Sequence, residues 1–287
     1  MSTRNPKSSS PSDRDSLQDR HKQFDQQQDG SVVNQDVAID RRIADARKGV
    51  LDNPDQAVEI YTLVEALCKR GRQSEENEAV AILTKAFDST QRFGFRERIG
   101  DIRMGQYRRK AAAVVAALKA DPENQELRKT AQQIISEART FEEQEYAARV
   151  ANYPTDLVLK FEYGRRLFDN RKFAEAIPIL QQAENNATNR PRAMSLRGQS
   201  FFNLKYYSEA ADTFRRAIDK GDMADSDTAK EVYYHLGRAL EQLGDVGGAD
   251  KAYSQVVQWD FNYRDVRQRV GRLRQAGKSD SAGPVGP

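Results

Sequence analysis

Two histidines and one cysteine are the residues in this 287-residue chain best suited to nucleophilic or metal chemistry. His21 stands in a polar N-terminal stretch and His235 in a segment with helical spacing, so no supported histidine pair or dyad is predicted. Cys68 lies in Ala66-Leu67-Cys68-Lys69 with no base beside it, the usual setting of a small buried hydrophobe. A lone cysteine also excludes an intrachain disulfide and any multi-thiolate metal site. Glu142, Glu143 and Glu145 lack the Glu-x-x-His companion of a bundle metal centre and read as a solvated helix face. Gly244-Asp245-Val246-Gly247-Gly248 has no preceding strand and no following Gly-Lys-Ser/Thr, so it is predicted to be a turn between helices, not a phosphate loop. The expectation is no catalytic residue, no metal and no cofactor.

Arginine is the remaining chemistry. Arg92, Arg96, Arg98, Arg103, Arg108, Arg109 and Lys110 face only Glu97 and Asp101 in their span, and Arg264, Arg267, Arg269, Arg272 and Arg274 face only Asp265. Either run has the charge to attract phosphates. Both carry helical spacing without interleaved exposed aromatics, and 46 basic against 43 acidic residues leave the chain at +3. A solvated face is the favoured reading and a nucleic-acid partner the less favoured one.

The elements that would hold such residues are helices. Hydrophobic residues make up 38% of the chain and charged residues 31%. Residues 1–33 hold almost no apolar side chains and are predicted to be a disordered tail, as are 276–287 with their glycines and prolines. From Asn34 to Gln275 the apolar spacing is 3 and 4, which predicts an all-α protein. The longest uncharged apolar run, Ala111 to Leu118, is too short to span a bilayer, so no membrane insertion is expected. The N-terminus shows no secretory pattern and Ser2 excludes myristoylation, which leads to a cytoplasmic expectation.

A fixed period organises the second half. Gly164, Leu167, Ala176, Leu180 and Ala183 recur 34 positions on as Gly198, Phe201, Ala210, Phe214 and Ala217. They recur again, 39 further on, as Gly237, Leu240, Ala249, Tyr253 and Val256, the five extra residues falling in the polar stretch Lys220 to Lys230. Glycine and alanine permit close helix approach and the large residues fill the space between. Tyr163-Gly164-Arg165-Arg166-Leu167 with Ala174-Glu175-Ala176, and its two counterparts, resemble the tetratricopeptide repeat over about 157 to 262. No repeat has that family's Trp, and the third lacks a closing Pro such as Pro191.

Upstream, Leu63 and Leu67 with Ala79, Leu83 and Ala86 predict a degenerate repeat over 55–88, its open end covered by a helix from about Val37 to Leu51. Between the two regions, Met104, Tyr107, Ala111, Val114 and Leu118 mirror Leu127, Ala131, Ile134, Ala138 and Phe141 about Asp121-Pro122. Two heptad seams of this kind predict a long antiparallel, coiled-coil hairpin, about 95–120 and 123–151, and a candidate surface for self-association. The alternative breaks both arms, near Gly105 and Arg139, into two further degenerate repeats. The expected organisation is a tail (1–33), an N-terminal helix and degenerate repeat (34–90), the hairpin (91–152), three repeats (153–262), a capping helix (263–275) and a second tail (276–287).

The resemblance implies a non-catalytic scaffold whose first helices line a concave groove for a partner peptide or helix. Carried over from each glycine, the groove residues are Phe161, Arg165 and Asp169, then Ser195, Gln199 and Asn203, then Tyr234, Arg238 and Gln242, with packing between repeats as the alternative for Phe161 and Tyr234. Members of the family that clamp a C-terminal carboxylate use Lys and Asn where this chain has Phe161 and Arg165, so that specificity is not implied. The partner is expected to be another protein, with the arginine-rich faces as an alternative anion or nucleic-acid site.

Overall fold

The computed structural model describes residues 35–220 and 226–281, with side chains to Gln275. The expected N-terminal tail and the centre of the Lys220–Lys230 insertion lie outside the described residues. Among those residues every regular element is a helix: α1 (35–52), α2 (Ala57–Cys68), α3 (Gln73–Thr90), α4 (Phe93–Ala120), α5 (Gln125–Asn152) and α6 (Leu157–Asp169) come first. They are followed by α7 (Phe173–Ala183), α8 (Arg190–Asn203), α9 (Tyr207–Lys220), α10 (Asp227–Gln242), α11 (Val246–Trp259) and α12 (Val266–Ser281). Two compact units divide between Arg103 and Met104, inside α4.

In the first unit, Ile43 and Ala46 of α1, Leu63, Val64 and Leu67 of α2, Ala79 and Leu83 of α3 and Phe95 of α4 are buried together. Half-buried Cys68 packs against this core. Arg70, just past α2, is within ion-pair distance of Asp36, Asp40 and Glu75, which ties the start of α1 to the α2–α3 turn.

In the second unit, α4 runs without a break at Gly105, and α5 without one at Arg139. Asn124 starts α5 by accepting a hydrogen bond from the Leu127 N–H, at 3.0 Å. Val114 of α4 and Ala131 of α5 are buried, and the rings of Tyr107 and Phe141 lie 5.5 Å apart.

The three repeats that follow share one joint. A Cβ built on Gly164 would lie 2.8 Å from Leu180, on Gly198 2.5 Å from Phe214, and on Gly237 2.6 Å from Tyr253. Real Cβ atoms do not come so near, so each glycine is the seat for the large residue 16 positions on. The turns joining each pair also match. Lys172 N–H donates to Leu167 C=O, Tyr206 to Phe201 and Asp245 to Leu240, each at 2.9 Å, around a left-handed residue at Arg171, Lys205 and Gly244. This six-to-one bond with an αL residue caps the orphan carbonyls of each first helix. Phe214, Tyr253, Val232 and Val256 then build a continuous core across α9, α10 and α11.

α12 continues the period, since Gly271 follows Gly237 by 34 residues. It packs through Val266 and Val270 on the third repeat. It runs past the expected end at Gln275 to Ser281, because a single glycine at 277 weakens a helix without ending it. Nothing lies within 4 Å of a Cβ at Gly271, so α12 has the place of a first helix with an empty seat.

The two glycine environments predict opposite outcomes for one substitution. Gly198→Ala overpacks Phe214 and should lower stability by roughly 1–3 kcal/mol. Gly271→Ala meets open space in a helix and should raise it by about 1 kcal/mol. Denaturant midpoints of the two variants check this, and equal shifts would refute the seat.

Candidate partner-binding site

The first helices of the three repeats lie in a row, α8 touching both α6 and α10. Of the nine predicted groove residues, the structure leaves five accessible. Arg165 and Asp169 are about half exposed and lie 3.8 Å apart, with Arg165 also donating to Glu162 at 2.9 Å. Asn203 and Gln242 are exposed, and Arg238 is half-buried with its guanidinium 4.4 Å above the Phe202 ring. These sit at the C-terminal halves of the helices.

The other four are inside. Phe161 is 5% exposed and belongs to the core with Leu167 and Leu180. Ser195 and Gln199 are buried, Gln199 Nε2 donating to Ser195 Oγ at 3.1 Å and Ser195 Oγ to Glu231 at 3.3 Å. Tyr234 is 6% exposed. For the Phe161 and Tyr234 rings the alternative holds: they pack between repeats and do not face a partner.

What covers Tyr234 is the approach to α12. Its OH donates to Asp265 at 2.7 Å, Arg269 donates to both oxygens of Asp265 and to Glu241, and Tyr253 OH donates to Glu241 at 2.8 Å. Burial would raise the Asp265 carboxyl, but the hydrogen bonds from Tyr234 and Arg269 outweigh it and hold the group below its ordinary value. Burial and the bond to Glu241 push the Tyr253 hydroxyl up. Arg264 lies over the Tyr234 ring, 4.9 Å from its centre, with Nη1 3.2 Å from His235 Nε2.

A family model of the tetratricopeptide repeat matches residues 162–227, and a second matches 230–263. Residues 162–263 thus carry tetratricopeptide repeats. No curated protein matches it. Among solved structures it is similar to YrrB, described as a TPR protein with an unusual peptide-binding site, at 14% identity and a TM-score of 0.48, over 82% of this chain and 97% of that one. It is similar to TTC0263, a thermophilic TPR protein of Thermus thermophilus, at 16% identity and 0.41, over 62% and 96%. A third is the first TPR of Spaghetti (RPAP3) bound to HSP90 peptide SRMEEVD, at 20% and 0.39, over 42% and 93%.

Two polar readings change on this tetratricopeptide framework. The cluster Glu142, Glu143 and Glu145 is not a solvated face: Glu143 accepts from Asn170 at 2.7 Å and Lys172 at 2.6 Å, Glu142 lies 3.4 Å from Arg166, and Glu145 is 2% exposed beside Arg149. Glu142 and Glu143 dock α5 on the first repeat. In the last arginine run, Arg269 is half-buried, and exposed Arg274 bonds along the surface to Asp250 at 2.9 Å and Ser254 at 3.0 Å, while Arg267 and Arg272 are exposed. Among the described residues no group of His, Cys, Asp and Glu is placed to hold a metal, and no helix is long and apolar enough to cross a membrane.

His235 is buried on α10, stacked on Phe214 at 6.0 Å, and burial together with Arg264, Arg238 and Arg269 pushes its pKa down to about 3. An unfolded chain binds a proton there below about pH 6.5 while the folded repeat stays neutral, so stability falls as pH drops through that window. Between pH 6.5 and 4.5 the wild type should lose on the order of 2 kcal/mol more than His235→Gln. Parallel pH profiles of the two melting curves, or an imidazole that titrates near 6.5 by NMR, would contradict this.

Proposed function

We propose that this protein is a non-catalytic scaffold, working in the cytoplasm, that recruits another protein by holding an extended segment or helix of it against the first helices of its three repeats. The observation that carries the reading is Arg238. Its guanidinium carbon lies 4.4 Å from the centre of the Phe202 ring and has no carboxylate partner among the described residues. A guanidinium held over a ring by cation–π attraction keeps its N–H groups for a carboxylate of the partner. Asn203 and Gln242, exposed on the same row, offer amide donors and acceptors to a peptide backbone. Arg165 is already engaged by Glu162 and Asp169, so it contributes less. The preferred partner segment is acidic, with an apolar residue to cover the Phe202 ring.

The partner is identified by pull-down with the full chain and mass spectrometry, then titrated against variants. Arg238→Ala should weaken binding by about 2 kcal/mol and Arg165→Ala by less, without change in the melting midpoint. Arg267→Ala/Arg272→Ala should bind as wild type. If the latter variant loses binding while Arg238→Ala keeps it, the outer face of α12 is the site and the groove reading is wrong.

A further inference from the structure

Between α7, α8 and α9 a buried cation is left without its bonds. Arg197 of α8 is 4% exposed, with Nε 2.8 Å from Glu184 Oε1 at the end of α7. The two are poorly aligned: neither atom makes a hydrogen bond, and Arg197 Nη2, equally buried, makes none. A guanidinium has five donors and no acceptor, so only an anion, a carbonyl or water can satisfy it.

The surrounding charge favours an anion. Burial pushes the Glu184 carboxyl up, against the pull of Arg197, Arg216, Lys220 and Arg190, so four cations surround one carboxylate. Arg190 Nε is taken by the Glu184 carbonyl at 2.9 Å. Arg216 of α9 is exposed and makes no hydrogen bond or ion pair among the described residues. Arg197 and Arg216 line one cleft of ≈ 470 Å³ with Phe201, Thr213 and Glu209. Asp212, also on its wall, is occupied by Arg215 at 3.1 Å. That leaves Glu209 as the carboxylate facing the two arginines across the cleft.

We propose that this cleft binds a phosphoryl group, its oxygens shared between the Arg197 and Arg216 guanidinium groups. A phosphoryl dianion supplies several acceptors and nearly two charges, one for each of the Arg197 and Arg216 guanidinium groups on the wall of the cleft. The Phe201 ring forms the wall for whatever organic group carries it. Free phosphate esters and a phosphorylated partner side chain share this chemistry.

The test is calorimetric titration of the full chain with inorganic phosphate at constant ionic strength. Saturable binding is expected, weakened roughly tenfold or more in Arg216→Gln, whose exposed side chain leaves the fold intact, and in Arg197→Gln. Arg238→Ala should bind phosphate as wild type, which separates this site from the groove. Phosphoserine peptide binding more tightly than inorganic phosphate assigns the site to a modified partner, and glycerol phosphate doing so assigns it to a small ester. Absence of saturable binding, equal affinity of Arg216→Gln and wild type, or a phosphate-soaked crystal with only a water on Arg197 Nη2 overturns the proposal. If Arg197→Gln fails to fold, Arg216→Gln still decides.

Discussion

The repeat region rests on the absence of three Cβ atoms. Gly164, Gly198 and Gly237 each admit a side chain from the second helix of the same pair to a distance at which any other residue would clash. That contact sets how closely the helices approach, and close approach is what allows the identical capped turns and the row α6, α8, α10. The seated residue grows from Leu180 to Phe214 to Tyr253, and the last step brings a hydroxyl into the core. A buried phenol needs an acceptor, found in Glu241. A buried carboxylate needs a cation, found in Arg269, whose other partner Asp265 takes the Tyr234 hydroxyl. One extra oxygen atom thus propagates through four side chains and fastens α12 to the third repeat.

Much of this is legible in the sequence because packing leaves its mark at fixed offsets. The five recurring positions name the seat, its occupant and the small residues beside them, and the structure has each contact where the offsets put it. Gly271 is hidden because the large residue expected three positions after it is Arg274, a polar side chain that breaks the pattern while the backbone keeps the period. The candidate site is legible only in part. Offset from a glycine tells which side of a helix a residue occupies, and not what stands opposite. Phe161 and Tyr234 fall on the expected helices, but their burial depends on the adjacent first helix and, for Tyr234, on a segment about 30 residues later. Glu142 and Glu143 read as facing water for the same reason: their partners Arg166, Asn170 and Lys172 come from the next helix and its turn.

Charge is spent unevenly along the stack. At the third repeat Arg264, Arg269 and Arg274 each meet an acid or a ring. At the junction of the first and second repeats Arg197 reaches inward and finds only a misaligned Glu184. A stack of similar units shows such a difference plainly, because each junction serves as the reference for the others.

The empty seat on α12 bears on how a stack of repeats stops. Positions that earlier first helices fill with Phe161 or Tyr234, with Met194 or Tyr233 and with Phe168 or Phe202 are Gln268, Arg267 and Gln275 on α12. An apolar surface at the same place would accept the leading helix of another molecule, and such a head-to-tail contact does not close on itself but grows into a filament. Hydrated glutamines and an arginine, with a glycine that offers no knob, make that addition unfavourable. The described stack thus ends on a polar face where its earlier junctions are apolar.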